Sequence, residues 1–238
     1  IIQTAAKILQ EGGLVAFPTE TVYGLGGNGL DNSACEKIYI AKGRPSDNPL
    51  ILHISEFEEL SPIVREISPA AKALMDAFWP GPLTIVLRAK DCVPELVRAG
   101  GSTVGLRCPD HPMTLELLSL AGLPLAAPSA NPSGEASPKD AEKVNEYFGG
   151  KIAGILDGGP CGIGTESTLI DMSTTPYRIL RQGALGEEEI RSALLEQLCI
   201  IGLTGPSGSG KTTALKALEK QGACVIDCDE LYHSILGS

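Results

Sequence analysis

The chain has 238 residues, of which 43% are hydrophobic and 20% are charged, a balance typical of folded globular proteins and not of disordered chains or fibres. Its formal net charge of −10 argues against a protein that holds nucleic acid by bulk electrostatics, because phosphate contacts need clustered Lys and Arg. No apolar run approaches the roughly 20 residues that a membrane-spanning helix needs.

The cysteines and the first residues indicate the compartment. The seven cysteines are odd in number and form no CxxC pair, which favours reduced thiols in the cytosol. Cys224 and Cys228 could bind a metal, but no His or Cys pair completes the ligand set. Residues 1–10 lack the basic region and cleavage site of a signal peptide. Because no initiator Met is present, we expect a chain trimmed at its start, in a cytoplasmic protein.

Helical periodicity recurs along the first 197 residues. Ile2 and Leu9 lie on one face of the opening helix, which Gly12 ends, since glycine is favoured where a helix stops. Asp31 or Asn32 can cap the second helix. Further helices are predicted at 68–79, 111–120, 139–148 and 186–197.

Short apolar runs predict strands between these helices. They lie at 14–17, 50–54, 83–87, 103–107, 123–127, 152–156 and 168–171. Because strands and helices alternate without a repeat, the predicted class is α/β with a mixed sheet. The pattern changes near 196–198, where a strand at 200–204, a glycine-rich turn, a helix at 213–219 and a strand at 223–226 follow. We therefore predict two units, 1–197 and 198–238.

Three polar pairs spaced i, i+2 lie beside prolines: Thr19 with Thr21, Lys42 with Arg44, and Ser129 with Asn131. A residue before proline is held in extended geometry, and i and i+2 side chains then point to one face, roughly 6.5 Å apart. Lys42 with Arg44 would form a cationic clamp, and Ser129 with Asn131 a neutral donor pair. Such groups at strand ends suit a polyphosphate.

Each pair also has an ordinary structural interpretation. Lys42 and Arg44 taken alone are more often solvated surface charges, and Ser129 and Asn131 are of the types that dominate turns. From the residues alone, these segments indicate a candidate anion site and nothing more specific.

Five segments in order resemble the threonylcarbamoyl-AMP synthase family, the YrdC-like proteins. They are PTETVYGLG at 18–26, KGRP at 42–45 with NPL at 48–50 and His53, SAN at 129–131 with Ser133-Gly134, STLID at 167–171, and RQG at 181–183. The resemblance implies a twisted mixed sheet with helices around a large concave groove. It also implies that L-threonine and bicarbonate form N-carboxythreonine, which attacks the α-phosphate of ATP and expels pyrophosphate. Other proteins would then transfer the acyl group to a tRNA adenosine.

The resemblance also implies roles for individual residues. The family's phosphate-binding tetrad matches Lys42, Arg44, Ser129 and Asn131, and further ATP contacts match Asn48, Thr103, Ser137 and Arg181. The threonine pocket matches Thr21, His53, Arg107 and Ser167, with the backbone near Ala127 as a wall. The planar fork of Arg107 suits a carboxylate, whereas His53 without the family is better explained as a structural histidine. No general base stands out, so positioning supplies much of the rate.

A magnesium ion is expected to accompany the triphosphate, bound through phosphates and water more than by protein ligands. Glu20 is the nearest acidic candidate, although such a residue more often caps or pairs locally.

The second unit contains the pattern GxxxxGK[ST], carried by Gly205, Gly208, Gly210, Lys211 and Thr212. Between a strand and a helix, this pattern is a phosphate-binding loop; the alternative is a glycine-rich linker. With Asp227 and Asp229, the segment resembles the start of dephospho-CoA kinase. The lid and substrate helices of that family are missing, so we expect an inactive fragment of a longer, bifunctional parent.

Three other functions compete with the synthase. A related carbamoyl-transfer domain of hydrogenase maturation would carry an acylphosphatase-like unit and zinc modules upstream. A non-catalytic RNA-binding module would show salt-dependent affinity for tRNA. A parent protein that mainly makes CoA would convert dephospho-CoA to CoA.

Overall fold

A computed structural model describes residues 1–196 and 201–236, with side chains described as far as residue 234. The chain divides into two compact units, Ile1–Gln197 and Leu198–Ser238. Within the described ranges, no helix is both long and apolar enough to cross a membrane. The six cysteines of these ranges are all free thiols.

The helices of the first unit lie where the sequence predicts them, within two residues at each end. The side chains of Asp31 and Ser68 cap two of them by accepting hydrogen bonds from backbone N–H groups, as expected for N-cap residues. The short helix α4 was not predicted, because four residues are too few to show a helical period. The bounds are α1 Ile2–Gln10, α2 Asn32–Lys42, α3 Pro69–Phe78, α4 Glu95–Arg98, α5 Pro112–Ala121, α6 Ala141–Phe148 and α7 Glu187–Glu196, with a 3₁₀ turn at Phe57–Leu60.

Nine strands of the described chain form one mixed sheet in the order β7-β1-β2-β6-β3-β5-β4-β8-β9. The pairs β1–β7, β3–β5 and β4–β8 are parallel and the others are antiparallel. The predicted mixed α/β class is therefore confirmed. The bounds are β1 Val15–Phe17, β2 Gly24–Asn28, β3 Ile51–His53, β4 Leu83–Arg88, β5 Thr103–Arg107, β6 Leu125–Ala126, β7 Gly154–Ile155, β8 Thr168–Asp171 and β9 Arg178–Arg181.

Strand β2 was missed because its sequence, GLGGN, has neither the alternation nor the branched residues of a typical strand. Its glycines allow close packing instead. A Cβ atom on Gly26 would lie 2.5 Å from the Phe17 ring, so only glycine lets β2 pair beside that ring. Glycine inside a strand often marks such a close approach.

Helices cover both faces of the sheet, and β1 illustrates how. Val15 and Phe17 point into the apolar cluster that includes Leu9 of α1 and Leu117 of α5. Ala16, which alternates with them, points into the larger cluster on the opposite face with Ile38 of α2. The sheet is thus buried on both sides, and polar side chains collect where its strands end.

The second unit contains helix α8, Lys211–Glu219, and helix α9, Cys228–Leu236. The strands predicted at 200–204 and 223–226 are wrong for 201–204 and 223–226, which form no strand, while residue 200 lies outside the described ranges. A strand needs a neighbour to receive its backbone hydrogen bonds, and the described part of this unit supplies none. Ile201 and Ile226 are 62% and 68% exposed. This unit therefore lacks a core of its own within 201–234.

Candidate active site

A cavity of about 250 Å³ lies where several strands of the first unit end. Arg44, Arg107 and Arg181 line it, together with a single carboxylate among the described residues, that of Glu166. The lining is therefore positively charged, although the chain as a whole carries a net charge of −10. A concave, cationic surface of this kind attracts anionic ligands.

The strand register brings His53 and Arg107 together. Strands β3 and β5 run parallel with His53 opposite Arg107, and each residue is the last of its strand. Ligands of α/β sheets bind beyond such carboxyl ends. The ring of Phe17 on β1 packs edge-on against His53, with 6.1 Å between ring centroids, and fixes the imidazole at the cavity floor.

The loop after β1 presents the Thr21 hydroxyl to the cavity. Thr19 Oγ1 donates its only proton to the carbonyl oxygen of Val22, at 2.6 Å. The 2.9 Å contact between the hydroxyls of Thr19 and Thr21 must then have Thr21 as its donor. The lone pairs of Thr21 remain free to accept a hydrogen bond from an ammonium or amide N–H of a ligand.

Arg107 is held by a buried ion pair. Its Nη2 lies 2.6 Å from Glu20 Oε1, and the two side chains are only 5% and 12% exposed. Arg107 Nε also donates to the carbonyl oxygen of Gly81. These bonds fix the guanidinium plane and leave Nη1 without a hydrogen bond among the described residues. A rigid fork of this kind can receive a carboxylate.

Glu20 uses both carboxylate oxygens within the protein. Oε1 pairs with Arg107, and Oε2 accepts a hydrogen bond from the backbone N–H of Asp110 at 3.1 Å. Glu20 is therefore bonded to two groups that lie far from it in the sequence and not to a local partner, and magnesium binding by Glu20 stays a prediction. Among the described residues, no group of three His, Cys, Asp or Glu side chains could hold a metal ion.

His53 is neutral throughout the physiological range. Burial, reinforced by the positive charge of Arg107, lowers its pKa to about 3. Its Nδ1 atom is buried without a partner among the described residues. His53 can therefore offer a neutral imidazole to a ligand, and it adds no positive charge to the cavity.

The pKa of His53 predicts how acid affects folding. The unfolded chain binds a proton below about pH 6.5, whereas the folded protein resists it down to about pH 3, so the free energy of unfolding falls as the pH decreases between these values. For each pH unit of acidification in this range, the free energy of unfolding of His53→Gln should fall by about 1.4 kcal/mol less than that of wild type. Urea unfolding at several pH values measures this, with exposed His233→Gln as control. Equal slopes for wild type and His53→Gln would contradict the assignment.

The cationic pair does not have the predicted extended geometry. Lys42 is the last residue of α2, and Gly43, with φ of 59°, ends the helix in the left-handed conformation. The prediction of an extended pair is wrong because Lys42 belongs to the last turn of a helix and Gly43 turns the chain before Arg44. Lys42 is 3% exposed, and its ammonium donates to the carbonyl oxygens of Ser129 and Asn131. Burial, followed by repulsion from Arg44, lowers the Lys42 pKa to about 8.

The neutral pair is not extended either. The Asn131 N–H bonds back to the Ser129 carbonyl oxygen at 3.0 Å, an i→i+2 bond that turns the chain. Ser129 faces the cavity, whereas the Asn131 amide donates to the carbonyl oxygens of Pro132 and Glu135. Asn131 therefore shapes its own loop. Its buried Oδ1 has no partner among the described residues.

Arg44 is half-buried at the cavity edge. Its guanidinium donates to the Oδ1 atom and the backbone oxygen of Asn48, and to the Pro49 carbonyl oxygen. Asn48 thus orients Arg44. Burial is the main cause that lowers the Arg44 pKa, but a guanidinium remains charged in proteins.

Glu166 is the site residue that sequence reasoning missed. Its Oε2 lies 2.6 Å from Arg181 Nη1, and its Oε1 accepts a hydrogen bond from Ser137 at 2.8 Å. Arg181 also donates to the Ser167 backbone oxygen. A signal existed, because Glu166 directly precedes the STLID string, but a lone glutamate in a glycine-rich loop is usually solvated.

The structure gathers most of the residues matched to the family, although not all line the cavity. Those in the lining are Thr21, Arg44, Asn48, His53, Arg107, Ala127, Ser129, Ser167 and Arg181. Lys42, Asn131 and Ser137 lie behind it, bonded to the segments that form it. Thr103 is outside the lining, since it begins β5 and lies about 13 Å along the strand from Arg107.

In the glycine-rich loop of the second unit, two glycines adopt the left-handed backbone conformation. Gly208 and Gly210 have φ of 80° and 85°, which favour glycine, and Thr212 lies in the first turn of α8. Lys211 Nζ donates to the carbonyl oxygens of Gly205 and Pro206 at 2.6 and 2.9 Å. The ammonium group of Lys211 is therefore bonded to the backbone of its own loop.

This fold and cavity define the class of the protein. The chain belongs to the Sua5/YciO/YrdC family, whose model, described as "Telomere recombination", matches residues 7–183.

Comparison with individual proteins shows which members of this family the chain is similar to. The chain is 51% identical over 195 residues to the threonylcarbamoyl-AMP synthase of Pyrococcus abyssi, a match of 82% of this chain and 57% of that protein. It is 50% identical over 194 residues to the Bacillus subtilis enzyme of the same name, over 81% and 56% of the two chains. The crystal structure of P. abyssi Sua5 complexed with L-threonine superposes with a TM-score of 0.80 and 39% identity, over 96% of this chain and 78% of that one. The chain thus spans little more than half the length of these curated relatives.

Proposed function

We propose that the chain is an L-threonylcarbamoyladenylate synthase, a nucleotidyltransferase that forms threonylcarbamoyl-AMP and pyrophosphate from L-threonine, bicarbonate and ATP. The product would serve the N6-threonylcarbamoyladenosine modification of tRNA in the cytoplasm, by way of separate transfer proteins. The observation that carries the proposal is a single cavity with a buried arginine, Arg107, at one place and two more exposed arginines, Arg44 and Arg181, at another. The names of the curated relatives support it.

The buried part of the cavity suits threonine. The free Nη1 of Arg107 would take the carboxylate, and Thr21, with its lone pairs available, would accept from the amino group. His53, held neutral, adds a hydrogen-bonding group without repelling a cationic amine. Ser167, whose hydroxyl lies 2.7 Å from Thr84 Oγ1, and Ala127 would form the walls.

The more exposed part suits the triphosphate. As pyrophosphate leaves, charge develops on the oxygens of the α-phosphate, and Arg44 and Arg181 would stabilise it. The positive charge of Lys42, which lies behind the cavity lining, would also stabilise the phosphates. Its ammonium group would hold the Ser129 segment in place through two backbone carbonyls. Magnesium would bind through the phosphates and water.

The reaction then needs little proton transfer from the protein. The threonine ammonium first releases one proton to water. The neutral amine then adds to bicarbonate with loss of water, which gives a carbamate whose oxygen is already ionised. That oxygen attacks the α-phosphorus while the bond to pyrophosphate breaks. Holding both reactants in one cavity supplies much of the rate, which agrees with the neutral state of His53.

Pyrophosphate release tests this proposal. Wild-type protein should release pyrophosphate only when ATP, L-threonine, bicarbonate and magnesium are all present, and omitting any one of them should abolish release. Replacing threonine by alanine gives a matched control, because only the methyl and hydroxyl groups are lost. Release that does not depend on threonine would contradict the proposal.

A second proposal concerns the loop 205–212. We propose that it binds the phosphates of a nucleotide as part of a dephospho-CoA kinase-like unit, in which Lys211 would leave the carbonyls of Gly205 and Pro206 for the ligand. The positive φ of Gly208 and Gly210 and the helix beginning at Lys211 support this. Calorimetric titration with ATP should then count two sites on the full chain and one on Lys211→Ala. An unchanged count would contradict it.

A further inference from the structure

Glu166 is placed against the nucleotide contacts of the proposed site. Its carboxylate pairs with Arg181, with 2.6 Å between Oε2 and Nη1, and accepts a hydrogen bond from Ser137. Both partners match ATP contacts of the family. A carboxylate and a phosphate offer similar anionic oxygens to such donors, so Glu166 occupies groups that a phosphate would use.

The influence of Glu166 extends to the other cations of the site. Burial lowers the pKa values of Lys42 and Arg44, and the negative charge of Glu166 opposes that lowering in both. Among the described residues that line the cavity, Glu166 is thus the one anion that acts on three cationic side chains, those of Lys42, Arg44 and Arg181. The negative charge of Glu166 offsets part of their mutual repulsion.

The Glu166 side chain can leave while its backbone stays. The backbone oxygen accepts from the Ala184 N–H at 2.9 Å, and a Cβ atom on Gly183 would collide with that oxygen, so only glycine allows the approach. The side chain, in contrast, is 36% exposed. Glu20 differs in its burial, since its side chain is only 12% exposed.

We propose that Glu166 is an internal counter-anion of the phosphate subsite, which occupies Arg181 and Ser137 until the phosphates of ATP displace it. This inference rests on the proposed function. Any polyphosphate must break the ion pair between Glu166 and Arg181 before it can bind there. Glu166 therefore weakens the binding of ATP and of pyrophosphate alike. It leaves the affinity for threonine unchanged, because Arg107 has its own carboxylate partner.

Glu166→Gln tests the inference by calorimetry. Glutamine keeps an acceptor for Ser137 and nearly the same shape, but it removes the charge. The dissociation constants of ATP and of pyrophosphate should each fall about fivefold, the equivalent of about 1 kcal/mol for a partly exposed ion pair, and that of L-threonine should not change. Every protein in the comparison carries Lys211→Ala, so that the second unit's loop adds no heat.

The matched control is Glu146→Gln, which removes the same charge from a surface pair with Lys143 outside the cavity lining and should alter no affinity. Unchanged or weaker ATP and pyrophosphate binding in Glu166→Gln overturns the inference, and a loss seen only with magnesium would identify Glu166 as a metal ligand instead. If Glu166→Gln gives such a result while the Lys211→Ala protein itself binds ATP, only the inference is overturned. If the Lys211→Ala protein binds neither ATP nor pyrophosphate, both the inference and the proposed synthase are overturned.

Discussion

Arg44→Ala is expected to lower kcat/KM for ATP by about 10²–10³-fold, the size of effect found when one charge-stabilising donor is removed from a transition state. Arg44 is half-buried at the cavity edge, and its partners, the oxygens of Asn48 and Pro49, can turn to water when it is lost. The folded state should therefore survive. Threonine-dependent pyrophosphate release and thermal unfolding measure the two effects separately.

Arg65→Ala is the matched control for Arg44→Ala. Arg65 pairs with Asp91 on the surface and lies outside the cavity lining, so its loss should leave turnover unchanged. Lys42→Ala is a poorer test than the sequence suggests, because it leaves one buried and one part-buried carbonyl group without their hydrogen-bond donor. Normal turnover of folded Arg44→Ala would remove Arg44 from the mechanism.

Arg107→Met is expected to reduce the free energy of unfolding by about 3–5 kcal/mol, because it leaves the Glu20 carboxylate buried without its partner. The pair is 5% and 12% exposed, so water cannot replace the guanidinium. The variant should also lose measurable threonine binding. Urea unfolding and calorimetric titration with L-threonine give the two results.

The double variant Glu20→Gln/Arg107→Met separates the two roles of Arg107. Removing both charges should recover most of the lost stability, since replacing a whole buried ion pair is often nearly neutral, whereas threonine binding should stay lost. A loss below about 1 kcal/mol in Arg107→Met, the value of an exposed pair, would contradict the buried pairing.

Local patterns predicted the elements whose signal is local. Helix α3 has a capping serine, a first-turn proline and an apolar face, so its bounds follow from a short window of sequence. Strand β2 was not predicted, because its glycines are required by the Phe17 ring of a neighbouring strand and not by a local pattern. The strands expected in the second unit are not found for the opposite reason, since apolar residues such as Ile201 and Ile226 have no neighbouring strand within 201–236.

The site followed from the sequence only in part. Motifs pointed to many of the residues that line the cavity, but not to Glu166. The extended geometry expected of the two polar pairs is not found, because Lys42 ends a helix at Gly43 and the chain turns at Ala130. The pairing of Arg107 with Glu20 joins residues 87 positions apart, and no local pattern reports such a contact. The same holds for Glu166 with Ser137.

The proposed reaction requires one cavity to hold threonine, bicarbonate and ATP together. Mass spectrometry of the nucleotide product, made once with ordinary and once with ¹³C-labelled bicarbonate, tests it most directly. We expect threonylcarbamoyl-AMP whose mass rises by one unit with the label and which forms far more slowly with Arg44→Ala. An adenylate without the label, or AMP alone, would contradict the account.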